Sequence, residues 1–316
     1  MAKEKFCKNF KELGKQNVDI AGGKGASLGE MTGAKIPVPP GFVVLAPAFD
    51  RFLEETDLFQ DVAAKLKKVK YDDVNSVSKV SAEIHDLIMD ATMPADIAKE
   101  IKADFKKLNA KFVAVRSSAT AEDSSVASWA GELESYLNTT EKTLLDNVKR
   151  CWASLFTPRA IFYRQEKGLV DSKVSVAVVV QKMVDSEISG IAFTVHPVTQ
   201  DKNQMIIEAG FGLGEAIVSG SITPDSYVLS KKDLSLMDVN IAQQERKLVK
   251  DLAKRIKWVK VLKPVQEKQK LSNKEIIALA KICLGIEKHY QFPCDIEWAF
   301  EKKKFYIVQS RPITTL

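Results

Sequence analysis

An α+β fold with more than one lobe is what this sequence predicts, and three observations carry that reading. Helical patterns fill most of the chain from Ala48 to Lys167, whereas short strands separated by glycine-rich turns take over past residue 185. The length, 316 residues, also exceeds what one hydrophobic core usually organises. The change of character near residues 185–189 sets the expected division, a first lobe over residues 1–186 and a second over 187–316.

Taken in order, the N-terminal MAKEKFCKNFKELGK reads as an opening helix candidate, followed by AGGKGASLGEM and then the proline-rich turn IPVPPG, which feeds an extended segment. Helices are predicted over Ala48–Glu55, Asn75–Met89 and Pro94–Leu108, the last with Pro94 in its first turn, where a missing N–H costs nothing. A strand at Phe112–Val115 ends in RSSATAEDSS, and residues 140–167 are again helical. KVSVAVVVQKMV is β-branched almost throughout, as a strand covered on both faces would be. SGIAFTV, NQMIIEA and DSYVLS read as short strands, and Ser272 with Glu275 forms a capping box that starts a helix running toward His289. The closing CDIEWAFEKKKFYIVQSRPITTL is a β-hairpin.

Composition narrows the function class. The chain is 45% hydrophobic and 28% charged, like an ordinary globular protein, and no apolar run reaches the ~20 residues of a membrane helix. A charged N-terminus without an apolar core argues against a secretory signal, so a cytoplasmic location without membrane association is expected. Cys7, Cys151, Cys283 and Cys294 form no CxxC pair, which points to reduced, buried thiols rather than zinc ligands. The net charge of +6 comes from lysines spread over helices rather than interleaved with aromatics, so no nucleic-acid partner is expected, although the field suits a polyanionic small ligand.

The hairpin carries the clearest chemistry. Alternation places Ile296, Trp298 and Phe300 on one face of its first strand and Asp295, Glu297 and Ala299 on the other. On the return strand Tyr306, Val308 and Ser310 form one set, and Phe305, Ile307, Gln309 and Arg311 form the other. A three-residue loop at Lys302–Lys304 would set Glu297 opposite Gln309 and Asp295 opposite Arg311. A carboxylate beside an amide oxygen is a hard-oxygen pair suited to Mg²⁺, with Arg311 in reach of phosphates. The same residues equally describe a half-exposed hairpin with a surface ion pair between Asp295 and Arg311. GGKG at residues 22–25 fails the Walker A spacing, and GFGLGEA at 210–216 fails GxGxxG at Glu215. Each is a tight turn on its own terms, yet Lys24 between glycines is also able to lay an ammonium and open N–H groups against a phosphate.

In order, GGKGASLGEM, IPVPPGFVV, VAVRSSATAED, WAGELESYLN, VVQKMV, SGIAFTVHP, GLGEAIVSGSITPD and DIEWAF with QSRPIT resemble the ATP-binding domain of phosphoenolpyruvate synthase and its relatives, pyruvate phosphate dikinase and rifampin phosphotransferase. Eight ordered segments cover nearly the whole chain. The resemblance implies an ATP-grasp fold, two lobes clamping ATP and Mg²⁺, and a kinase of the kind with paired acceptors, pyruvate and water. In that chemistry the β-phosphoryl group of ATP passes to a histidine on a separate swivelling domain. It implies Lys24, Arg116 and Arg311 on the ATP phosphates as the catalytic set, and Gly131 and Ser135 in the loop that covers them. It also implies Gln181, Met183 and Val184 at the adenine hinge, and Glu297 and Gln309 as the Mg²⁺ ligands. On this view Arg116 sits at a strand end, and the hydroxyl residues after it with Gly131 make a flexible polar lid.

Two departures stand out. Glu132 occupies a position where the family has a neutral glutamine, and none of His85, His196 and His289 has the Thr-Ser-His context of the phosphohistidine carrier. The phosphohistidine domain and the acceptor domain are therefore expected to be absent from this chain, which reads as an excised domain or a separate subunit. Pyruvate is the leading acceptor. An antibiotic-modifying phosphotransferase and an ATP sensor without phosphoryl transfer are the alternatives, and retention of the magnesium pair and both arginines favours catalysis.

Overall fold

The β-branched run VAVVVQK is buried over its first six residues and lies at the centre of a five-stranded antiparallel sheet, with a strand on either side and residues packed on both faces. The computed structural model describes residues 5–120, 134–169, 174–251 and 256–313. The chain divides into one unit of residues 1–30 and 40–183, and a second of residues 31–39 and 184–316.

The first unit contains β1 (Cys7–Asn9), α1 (Val18–Gly33, whose last turn belongs to the second unit), β2 (Gly41–Val44), α2 (Ala46–Glu55), α3 (Leu58–Leu66), α4 (Val74–Asp90) and α5 (Ala95–Leu108). It continues with β3 (Val113–Ala119), β4 (Ser135–Thr139), α6 (Leu144–Ala153), α7 (Pro158–Glu166) and β5 (Val176–Lys182), and the sheet order is β1-β2-β5-β3-β4. Alternation sorts the sheet into two faces. Phe42 and Val44, Val113 and Val115, and Val176, Val178 and Val180 join Phe49, Phe52, Ile84, Ile97 and Trp152 of the helices in one core. The opposite face, with Val43, Ala114, Arg116, Ser118, Val179 and Gln181, lies under α1, where Gly25 approaches Val43 and Ser118 bonds to both Ala21 and Gly25.

The opening helix candidate is overturned. Phe6, Cys7, Phe10 and Leu13 are buried at helix-like spacing, but residues 7–9 pair with β2, and Glu100 accepts the N–H groups of Phe6 and Cys7. An Asn9–Glu12 capping box then closes a single 3₁₀ turn. Long-range pairing supplies backbone partners here that local periodicity cannot announce. β3 also runs through Ala119 rather than ending at Val115, so Arg116 is a mid-strand residue.

The second unit holds β6 (Ile188–Phe193), β7 (Gln204–Phe211), α8 (Glu215–Val218), β8 (Asp225–Ser230), β9 (Leu236–Asn240), β10 (Arg246–Lys250), β11 (Ile256–Lys260), α9 (Asn273–Tyr290), β12 (Cys294–Glu301) and β13 (Lys304–Pro312). Its main sheet is antiparallel in the order β13-β12-β6-β7-β8-β9, and β10 and β11 form a separate ribbon. The Ser272 capping box is present at the start of α9, a device worth about 1 kcal/mol. Ile276, Leu279, Ala280, Cys283 and Ile286 bury the helix against β7 and β12. Across the strands Ser310, Ile296, Ala192, Ile207 and Tyr227 stand in one row of the core face. Arg311, Asp295, Phe193, Ile206 and Val228 line up on the other face.

Behind this sheet, Lys270 and Asp225 make an ion pair of 2.8 Å with both side chains fully buried. The four cysteines are free and buried. No helix among the described residues is long and apolar enough to cross a membrane.

Candidate functional site

In the first unit the phosphate-binding candidates are set by one strand face and one break in a helix. Gly22 has φ 67 and ψ 171 inside α1, so the helical path is interrupted just before Lys24, a conformation that glycine adopts without a Cβ penalty. Lys24 is half-buried in the turn that follows. Arg116, also half-buried, pairs with Val179 on one side and with Ser135 on the other, so Ser135 stands on the same face at an exposed position. Gln181 lies opposite both Gly41 and Ala114 and is 3% exposed. Met183 ends the unit: its N–H donates to Phe112 O, and its sulfur accepts the N–H of Asn138, the extra residue of an irregularity in β4 at φ 55. Gly131 and Glu132 lie outside the described residues.

The hydroxyl residues after Arg116 do not all belong to a lid. Ser117 and Ser118 are buried strand residues, their hydroxyls donating to Glu134 O and Ala21 O, and the Thr120 hydroxyl donates to Ser175 O. Ser118 faces α1, whose backbone comes so close to β3 that a Cβ at Gly22 would lie 2.4 Å from Ser118 O. Ser118 is the residue that sequence reasoning passed over. Its signal was a serine two positions after the arginine, on the same strand face.

In the second unit the hairpin pairs Glu297 with Gln309 and Asp295 with Arg311, by a different route from the one anticipated. Lys302 and Lys303, at φ 50 and 62, form a two-residue turn instead of a three-residue loop. A bulge at Val308 then supplies the missing residue, so that Trp298 faces Ile307 while Glu297 still faces Gln309. The strict alternation expected along the return strand, Tyr306 with Val308 and Ser310 against Phe305 with Ile307, Gln309 and Arg311, is corrected accordingly. Ile307 is fully buried with Trp298, whereas Tyr306 and Val308 are half-buried, because the bulge reverses the alternation below it. Ile307 N–H, released at the bulge, donates to Pro37 O at 2.9 Å. Val184 is half-buried in the segment leading into β6.

The polar face carries a partly buried charge cluster. Asp295 Oδ2 accepts from Arg311 Nε at 2.8 Å and Nη2 at 2.7 Å, with side-chain exposures of 12% and 40%. Burial pushes the Asp295 carboxyl above its ordinary range, Arg311 pulls it down, and Glu297 pushes it up again. Glu208, on the same face of β7, is also raised, first by burial and then by the charge of Asp295. Glu297 is half-buried and Gln309 is 7% exposed, so the pair offers one carboxylate and one amide oxygen on a face rich in negative charge, a donor set that fits Mg²⁺. A second gathering of possible ligand atoms, Cys7, Glu100 and Asp104, is a strand cap: Glu100 is engaged with backbone N–H groups, and burial holds the Cys7 thiol well up.

The three histidines have local roles. His85 stands beside Asp86 on α4, His196 Nδ1 accepts the N–H groups of Val198 and Thr199, and His289 packs edge-on against Tyr290.

Similarity to known proteins follows the same segments. The chain is 48% identical over 319 residues to a probable phosphoenolpyruvate synthase of Methanocaldococcus jannaschii, covering 99% of this chain and 27% of that protein. It is 42% identical over 359 residues to the phosphoenolpyruvate synthase of Pyrococcus furiosus, covering 99% and 44%. It is 38% identical over 308 residues to the rifampicin phosphotransferase of Bacillus subtilis, covering 96% and 35%. The chain thus spans between about a quarter and under half the length of these curated relatives. Residues 18–316 match the family described as the pyruvate phosphate dikinase AMP/ATP-binding domain, and the chain belongs to that family.

Proposed function

We propose that this chain is an ATP-grasp module whose lobes close on Mg-ATP, and that it donates the β-phosphoryl group to a histidine of a separate swivelling domain for transfer to pyruvate. The reading rests on family membership, and the observation that supports it most is the register placing Glu297 opposite Gln309 beside the Asp295–Arg311 pair. Glu297 and Gln309 would hold the ion; when bound, Mg²⁺ neutralises phosphate charge as it develops. Lys24 and Arg116 hold phosphate oxygens by charge-assisted hydrogen bonds, and Asp295 orients the Arg311 guanidinium so that its direction is set before the nucleotide arrives. Gln181, Met183 and Val184 meet the adenine, while Gly131 and Ser135 cover the phosphates. As the histidine nitrogen bonds to the β-phosphorus, AMP departs with the bridging oxygen, and the γ-phosphoryl group passes to water as inorganic phosphate.

The likeness to rifampicin phosphotransferase supports an antibiotic as a second acceptor class, which the acceptor domain would decide. Two measurements test the proposal. Calorimetry of the chain should register Mg-ATP binding without conversion of pyruvate, and the chain supplied with a histidine-bearing swivelling domain and ATP labelled at the β-phosphate should yield AMP and a labelled histidine. A chain that binds no Mg-ATP, or that converts pyruvate unaided, would sink the reading.

A further inference from the structure

Arg116 and Ser118 project from the same face of β3, roughly 7 Å apart along the strand. The Ser118 side chain is fully buried, and its hydroxyl makes two bonds that straddle the break in α1. Oγ donates to Ala21 O at 3.0 Å, before the break, and accepts from Gly25 N at 3.3 Å, after Lys24. Gly22, between them, lies so close that a Cβ would be 2.2 Å from Ser118 Oγ. One hydroxyl therefore holds both ends of the Ala21–Gly25 turn against the strand that carries Arg116.

We propose that Ser118 is a positioning residue that fixes Lys24 in register with Arg116, so that the two cations converge on one polyphosphate. This rests on the assignment of Lys24 and Arg116 to the ATP phosphates. Ser118 touches no phosphate itself. Its contribution is to keep the Lys24 turn from sampling other positions, so that less ordering is required when a triphosphate binds. A hydroxyl suits the place because it donates and accepts at once, which neither alanine nor valine does.

Amide exchange and calorimetry together provide the test. In Ser118→Ala, the Gly25 amide should exchange about tenfold faster without nucleotide, and Mg-ATP should bind roughly five- to tenfold more weakly, as expected for the loss of one or two buried hydrogen bonds. In a Lys24→Ala background the same substitution should change affinity less than about twofold, because its effect passes through the lysine. Ser117→Ala, which removes a hydroxyl bonded to Glu134 O on the same strand, should leave Gly25 exchange unchanged. Should Ser118→Ala lose its cooperative unfolding transition, Ser118→Cys serves in its place. Unaltered Gly25 exchange and affinity in a folded variant would overturn the proposal, as would penalties that simply multiply in the double variant. Failure of the wild-type chain to bind Mg-ATP would instead defeat the functional reading, while Gly25 exchange would still decide whether the hydroxyl holds the turn.

Discussion

Replacing Lys270 by methionine would leave the Asp225 carboxylate sealed from water with its cationic partner gone. Asp225 Oδ1 accepts from Lys270 Nζ at 2.8 Å and Ala242 N at 3.0 Å, and Oδ2 from Tyr227 Oη at 2.7 Å and Lys270 N at 2.9 Å. Both side chains have zero exposure, and Lys270 Nζ also donates to Ala242 O. Three neutral donors would remain for a buried charge, and the Ala242 carbonyl would lose a donor. Breaking a buried pair in this way costs about 3–5 kcal/mol. With a urea slope of about 2 kcal/mol per M, the unfolding midpoint of the second unit should fall by roughly 1.5–2.5 M. Asp225→Ala combined with Lys270→Met should cost less than the sum of the single changes by at least about 1.5 kcal/mol, because the second removes the charge that the first left stranded. Strictly additive losses, or a Lys270→Met midpoint within about 0.5 M of wild type, would refute the reasoning. The same pair anchors residues 242–246, where the Gln244 side chain bonds to the backbone of Phe211 at the entrance to the glycine-rich segment, so susceptibility of that segment to proteolysis should rise in parallel.

Lys24→Ala and Arg116→Ala should fold normally, yet each should bind ATP roughly ten- to hundredfold more weakly by calorimetry, as the loss of a charge-assisted phosphate contact implies. Glu297→Gln should reduce phosphoryl transfer to an added histidine-bearing domain far more than it lowers the melting temperature, and Gln309→Glu should be milder because it keeps an oxygen ligand. Gly190→Ala should destabilise the second unit by at least about 2 kcal/mol in urea, since the new Cβ would lie 1.8 Å from Glu208 O and 2.8 Å from Trp298 Cζ2. For Glu208, a carboxyl raised on folding favours the native state only while protonated, so its stability contribution is full at low pH and is lost as pH rises through the shifted value. Glu208→Gln should therefore stabilise the protein at pH 7 and make no difference below about pH 4, as read from urea midpoints at both pH values.

Local periodicity was enough to place much of this molecule. Amphipathic spacing marked α4 and α5, the Ser272–Glu275 box marked the start of α9, and the unbroken β-branched run marked β5, because each signal lies within the element that forms. The pairing of Glu297 with Gln309 was reached from the sequence by way of the wrong turn: the two-residue turn alone would set Glu297 opposite Val308, and the extra residue at the bulge restores the pairing that a three-residue loop predicts. What escaped the sequence depends on partners far along the chain. β1 looks helical until it is given β2 to pair with, 35 positions from Lys8 to its partner Val43, and β3 continues through Ser117 and Ser118 because α1 presses on it across more than 90 positions. The Val308 bulge reverses which of Ile307 and Val308 enters the core, a choice settled by burial of Ile307 beside Trp298 and by the bond to Pro37. The pairing of Asp225 with Lys270 across 45 positions is likewise invisible in a window of local sequence, since only the folded sheet removes water from both charges and makes each necessary to the other.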